Sequence, residues 1–293
     1  MLIEENDYLS NVYKPYRQNL YSRYSEAFEL FKEYNLFLLK EQINIPLRNS
    51  DKKGKIIVAL FAKSLTTFQA IFNLFGNYYC NDANNLTRVL FEEMVNIIYC
   101  SKGEDEFKKF CSLEIIHKIE MLEIIHKDFK KKDRNNFFKK KSYEERTKEL
   151  YDKLYDLKIE GLFDKKNKPK PITIRQRVER LKSSEILNYY KTYYKLISCE
   201  IHSSPESLDK YFNFDNKGNL IEINCGPKTE ECNIAKIFFT SIRFMDIIFY
   251  HIINYFEIPK KKEINNFIKK FNAILNKYQK LKYIDKKMVG VSS

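Results

Sequence analysis

Residues 232–256 read CNIAKIFFTSIRFMDIIFYHIINYF. Large apolar side chains stand at Ile234, Ile237, Phe238, Ile242, Met245, Ile248, Phe249, Ile252 and Ile253. With about 3.6 residues per turn they reach nearly every face of a helix. A helix apolar all round belongs at the centre of a bundle, covered by others. The stretch therefore predicts an all-α fold, and the rest of the chain supplies the cover. Downstream, Ile264, Phe267, Ile268, Phe271, Leu275, Tyr278 and Leu281 form the stripe of a final amphipathic helix with a Lys-rich back. Upstream comes the one good strand signal, Tyr211-Phe-Asn-Phe and Leu220-Ile-Glu-Ile around Asn216-Lys-Gly-Asn219. This is a hairpin turn pattern, so one small β-hairpin is predicted near 211–224.

The remaining periodicity is helical. Tyr21, Tyr24, Phe28, Phe31 and Leu36 make one stripe, and Leu60, Phe61, Leu65, Phe68, Ile71, Phe72 and Phe75 another. Asp82 is placed as the N-cap of a helix to about Cys100, and Ser101-x-x-Glu104 as a capping box opening a helix to about Lys131. Lys130 to Lys141 reads as a charged break. Ser142-x-x-Glu145 is a second capping box, Asp164 to Pro171 a Lys/Pro-rich loop and the best candidate for an exposed linker, and Ile174 to Leu181 a short basic helix. Ser183 or Ser184 caps the next helix, which should end near Ser204 because Pro205 disfavours helical geometry before it. The resulting organisation is an N-terminal helical extension over 1–50 and a helical-bundle domain over 51–293.

The 293 residues suffice for one large domain or two small ones, and 44% hydrophobic residues exclude global disorder. Seven glycines and seven prolines are too few for a turn-rich β fold. Net charge is +13. An anionic partner such as nucleic acid is one explanation, and Lys enrichment in AT-rich coding sequence is the other. The six cysteines form no Cys-x-x-Cys pair. No zinc site, other metal or cofactor is predicted. Met1 to Ser10 is acidic and polar, unlike a secretory signal, so free thiols and a cytoplasmic location are expected. The longest apolar run, Ile56 to Ala62, is too short to span a bilayer, and no membrane partner is expected.

Two polar patterns interrupt the apolar helices. Arg88-Val-Leu-Phe-Glu92 repeats at a spacing of four, as does Tyr194-Lys-Leu-Ile-Ser198-Cys-Glu-Ile-His202. Each set shares one helix face. Among large apolar neighbours such polar stripes need partners, and the simplest solution is that they meet. The cluster could be catalytic, with His202 as acid or base, Arg88 on a phosphate, Tyr194 and Ser198 orienting, and Glu92 fixing Arg88 or the imidazole. It could equally be structural, an i,i+4 ion pair and a hydrogen-bond network holding two helices in register, and a small-ligand or nucleotide pocket is the third reading.

His117 and His126 stand nine residues apart, on opposing faces, and cannot share a metal. His251, with Arg243 and Asp246, reads as a core group. The basic residues Lys130, Lys131, Lys132, Lys139, Lys140, Arg175, Arg177, Arg180 and Lys195 are candidate nucleic-acid contacts; charge runs are also ordinary solvated surface.

At these motifs the chain resembles a prokaryotic family catalogued as a domain of unknown function, number five-six-seven-seven. Its members share an Arg-x-x-x-Glu helix and a later Tyr-Arg-x-x-Ser-x-x-x-His-x-Ser segment before a short hairpin. Here these are Arg88 and Glu92, then Tyr194, Lys195, Ser198, His202 and Ser204, and the resemblance runs roughly from Ile57 to Phe256. Lys195 stands where the pattern has Arg, which removes a bidentate fork. That family is similar to the helical HEPN superfamily, many of whose members are metal-independent ribonucleases of toxin and antiviral defence systems. The resemblance implies a HEPN-like endoribonuclease using Arg88, Glu92, Tyr194, Ser198 and His202. It further implies a homodimer acting on RNA, with a partner protein from the same defence locus. The usual HEPN motif, Arg then four to six residues then His, is absent; Arg243 and His251 are separated by seven. The alternative is therefore a non-catalytic helical interaction or sensor module of such a system, binding nucleic acid or a partner protein.

Overall fold

The computed structural model describes residues 8–77, 79–195, 197–198, 212–223 and 234–289. The fold is all-α with one hairpin. In chain order the helices are α1 (Tyr8–Arg23), α2 (Ser25–Ile43), α3 (Lys52–Gly76), α4 (Cys80–Lys102), α5 (Glu104–Asp128), α6 (Lys131–Phe137), α7 (Tyr143–Asp156), α8 (Ile174–Leu181) and α9 (Ser184–Tyr189). A π-helical turn, Tyr190–Tyr194, continues α9. Strands β1 (Phe212–Phe214) and β2 (Leu220–Ile223) follow, then α10 (Ile234–Tyr255) and α11 (Lys261–Val289).

The chain divides into two compact units, residues 1–97 with 187–293, and residues 98–186. In the first, α10 packs on α3 and α11, and α2 packs on α3 and α11. The reason is the aromatic content of the facing stripes. Phe28, Phe31, Tyr34, Phe61, Phe68, Phe75, Phe91, Phe244 and Phe249 are all buried. Phe31 stacks on Phe72 at 3.8 Å, Phe61 on Phe249 at 5.7 Å, and Tyr34 meets Phe271 edge-on at 5.4 Å. Each such ring contributes on the order of 1.5–3 kcal/mol of burial. By length and composition alone, α3 and residues Ile237–Tyr255 are apolar enough to cross a membrane. The expectation that no segment reaches that length rested on uninterrupted apolar runs, whereas a helix tolerates scattered Ser, Thr and Lys. In this fold the two helices pack on one another.

The second unit is built on α5 and α7, which enclose Ile116, Ile119, Leu154 and Leu162. Ser142 caps α7 as predicted, its hydroxyl accepting from the Glu145 amide and the Glu145 carboxylate accepting from the Ser142 amide. Thr173 and Gln176 form the same device at the start of α8, which the sequence reading missed.

Several boundaries differ from expectation. Asp82 lies inside the first turn of α4 rather than capping it. Ser101 donates to the Ile98 carbonyl, and extended Gly103 precedes α5, so no capping box forms there. The charged break contains α6, whose Arg134 donates to the His126 carbonyl at 2.8 Å. Leu36 faces solvent at 66% exposure, and Tyr34 and Leu38 take the core positions. Cys111 is a free thiol, whereas Cys80 is disulfide-bonded. Sequence spacing carried no sign of that pairing.

The predicted hairpin is present, with Phe212 opposite Ile223, Phe214 opposite Leu220 and an irregularity between Asn213 and Phe214. Asp215 accepts from the Lys217 and Asn219 amides, and Gly218, at φ 82°, makes the turn.

Candidate functional site

Arg88 and Glu92 sit one turn apart in the middle of α4, between buried Thr87, Leu90, Phe91 and Glu93. Across from them is the segment after α9. Tyr193 is held there by Phe244 of α10 at 5.9 Å and by a hydrogen bond to Asn84 of α4 at 2.9 Å. Phe91 packs on both Phe244 and Tyr194, each at 5.4 Å. These contacts present Tyr194 to the polar face of α4. The π turn, a feature frequent at functional sites, falls on the residues that make this contact.

The two polar stripes meet. Arg88 Nε donates to Ser198 Oγ at 2.9 Å, and Arg88 Nη2 to Tyr194 Oη at 2.7 Å. Arg88 Nη1 lies 3.0 Å from Glu92 Oε1, and Tyr194 Oη donates to the same carboxylate oxygen at 2.6 Å. Ser198 Oγ in turn donates to the Tyr194 carbonyl at 2.7 Å. The Arg88 guanidinium carbon stands 4.4 Å from the centre of the Tyr194 ring. The Arg88 and Glu92 side chains remain 21% and 33% exposed, while Tyr194 as a residue is only 7% exposed.

Burial, and then the hydrogen bond to Glu92, hold the Tyr194 phenol well above its ordinary value of 10.0. It is a proton donor throughout the neutral range. A guanidinium carries five N–H bonds. The contacts above use three, which leaves one on each Nη atom. A partly exposed guanidinium with N–H donors to spare is a group from which a phosphate or carboxylate accepts.

His202 and Ser204 lie outside the described residues. Lys195 places its ammonium 5.8 Å from the Tyr190 ring centre, and Tyr190 stacks on Tyr194 at 5.3 Å. The other candidate basic residues belong to the second unit. Lys130 precedes α6, Lys131 and Lys132 open it, and Lys139 and Lys140 are exposed beyond it. In α8, Arg175 pairs with Glu179 at 2.8 Å, and the Arg180 carbonyl accepts from Lys102. His117 lines a groove between α5 and α7, and His126 stacks on Tyr143 at 4.0 Å. Among the described residues no group of three His, Cys, Asp or Glu converges as a metal site would require.

Sequence reasoning missed a second polar pair in the first unit. Tyr34 Oη donates to Asp246 Oδ1 at 2.6 Å, with Tyr34 fully buried and Asp246 4% exposed. Burial raises the Asp246 carboxyl to about 7, the Tyr34 hydrogen bond and Arg243 acting in the opposite direction. A lone Asp on an apolar helix was the available signal, since a buried carboxyl needs a donor.

No curated protein and no solved structure matches the chain. Residues 54–219, more than half of the chain and the span that holds Arg88, Glu92, Tyr194 and Ser198, match the model of the family of unknown function DUF5677, and the chain belongs to that family.

Proposed function

We propose that the Arg88 cluster is a phosphodiester site, and that the protein is a HEPN-like, metal-independent endoribonuclease of prokaryotic defence. The observation that carries this reading is the partly exposed Arg88, fixed by Ser198, Tyr194 and Glu92 with one N–H on each Nη atom to spare. In RNA cleavage the 2′-oxygen attacks the adjacent phosphorus and loses its proton to a base. The P–O5′ bond breaks, the 5′-oxygen takes up a proton, and a 2′,3′-cyclic phosphate remains. Arg88 would hold the non-bridging oxygens as charge builds there. Glu92, a carboxylate at the same site, or His202, four residues beyond Ser198 in sequence, would take or supply the proton. The test is incubation of the purified protein with total RNA in chelator. Cleavage by the wild type that is lost in Arg88→Ala and in His202→Ala supports the proposal, and an inert wild type contradicts it.

A second reading has its own support. The same contacts tie α4 to the segment after α9, as a structural lock would, and the hairpin leaves Phe214, Leu220, Ile221 and Ile223 exposed. A non-catalytic interaction module would use that hairpin on a partner protein. It would show no RNA turnover, and Arg88→Ala would only lower its melting temperature.

A further inference from the structure

A cleft of about 400 Å³ lies wholly within the second unit, between α5, α8 and the loop that precedes α8. Its charged lining is Lys109, Lys170, Arg180 and Lys182 against Glu160 and Glu179. Four cations face two carboxylates, so the lining is net positive. Glu179 is taken by Arg175 at 2.8 Å. Among the described residues none of the four cations of the cleft is in an ion pair. A concave wall with an excess of one sign focuses its field and attracts counter-charge.

The backbone of the cleft is held in advance of any ligand. The Lys170 amide donates to the Leu162 carbonyl at 2.7 Å, and Phe163 pairs with Pro169. Asp164 accepts from the Lys166 and Lys168 amides at 2.8 and 2.9 Å, closing the loop between them. The Thr173 capping box fixes the start of α8. Pro171 and Ile172, also in the lining, add an apolar wall beside the cations. The volume falls within the range of small-molecule pockets, about 300–1,000 Å³. Cations for a phosphate next to an apolar wall for a ring suit one class of ligand.

We propose that this cleft binds a phosphorylated nucleoside, its phosphate on Lys109, Lys170 and Arg180 and its base or sugar against Pro171 and Ile172. The ligand could arrive free or as the 5′-phosphorylated end of an RNA; both offer the same chemistry. The site belongs to residues 98–186 and does not depend on the chemistry of Arg88.

The test is calorimetric titration of the full chain with ATP, with adenosine, and with an RNA octamer carrying either a 5′-phosphate or a 5′-hydroxyl. Saturable binding of ATP or of the 5′-phosphorylated octamer is expected, weakened by added salt. Adenosine and the 5′-hydroxyl octamer should bind at least about tenfold more weakly, the loss expected for a charge-assisted contact. Whichever phosphorylated probe binds more tightly identifies the source. Lys170→Glu and Arg180→Ala, both at exposed positions, should weaken that probe by about tenfold each at an unchanged melting temperature. Arg88→Ala should leave ATP binding untouched, and the two octamers are compared in that variant so that the Arg88 site adds nothing to the signal. Three results overturn the proposal: no saturable binding of either phosphorylated probe at millimolar concentration, equal binding of the unphosphorylated probes, or binding insensitive to Lys170 and Arg180.

Discussion

Tyr194 is the residue on which the cluster turns, because its hydroxyl accepts from Arg88 and donates to Glu92. Tyr194→Phe leaves a partly buried ion pair without its bridge. An expected loss of about 1–3 kcal/mol follows from hydrogen bonds to charged groups, read by chemical denaturation. That Arg88 and Glu92 share one face and Tyr194 and Ser198 another was legible because a spacing of four needs only local geometry, and their meeting followed because polar stripes among apolar neighbours need partners. Tyr34 and Asp246 were not legible, since 212 residues separate them and no local pattern links an Asp to a distant phenol. That pair gives a pH signature. The folded Asp246 carboxyl keeps its proton to about 7, whereas an unfolded one releases it near 3.8. Between those values the folded state binds more protons, so stability falls as pH rises and levels off above about 7. Asp246→Asn keeps an acceptor for Tyr34 and should flatten this slope, which amounts to a few kcal/mol on the order-of-magnitude scale of such shifts. Melting curves from mildly acid to mildly alkaline pH check this, and parallel curves for wild type and variant would contradict it.

Among the elements, the long helices were legible from their apolar period, and their ends only where a cap had no competitor. Ser142 caps α7 because Glu145 completes the reciprocal pair. At Ser101 the same letters fail, because α4 runs on to Lys102 and the hydroxyl bonds backwards to the Ile98 carbonyl. Counting letters does not reveal which helix owns a residue. The π turn was equally hidden, since its wider winding follows from packing of Tyr193 and Tyr194 on Phe91 and Phe244 rather than from composition. Ser142→Ala should therefore destabilise α7 by about 1 kcal/mol, while Ser101→Ala should cost less. Hydrogen exchange at the first amides of α7 reads the first effect directly; equal losses for the two variants would show that the cap distinction is mistaken.

At the scale of the whole molecule, the contiguous residues 98–186 form a unit with its own small core of Ile116, Ile119, Leu154 and Leu162. Charge and length alone did not reveal this division, because both units use the same Lys-rich helical surface and no Gly- or Pro-rich linker marks the boundary. A fragment of residues 98–186 is expected to be helical and to melt cooperatively in circular dichroism, and a featureless broad melt would contradict its independence. The first unit, made of two chain segments, carries the Arg88 cluster and with it the central claim, that the cluster acts on a phosphodiester. The most direct test is Arg88→Lys, which keeps the charge but loses the planar fork that reaches Ser198, Tyr194 and Glu92 together. In chelator, wild type should cleave RNA to 2′,3′-cyclic phosphate ends. Arg88→Lys should be slower by about 10²-fold or more, the typical cost of removing one donor to transition-state charge, with its melting temperature within a few degrees of wild type. Equal cleavage by the two proteins, or none by the wild type, would contradict the account.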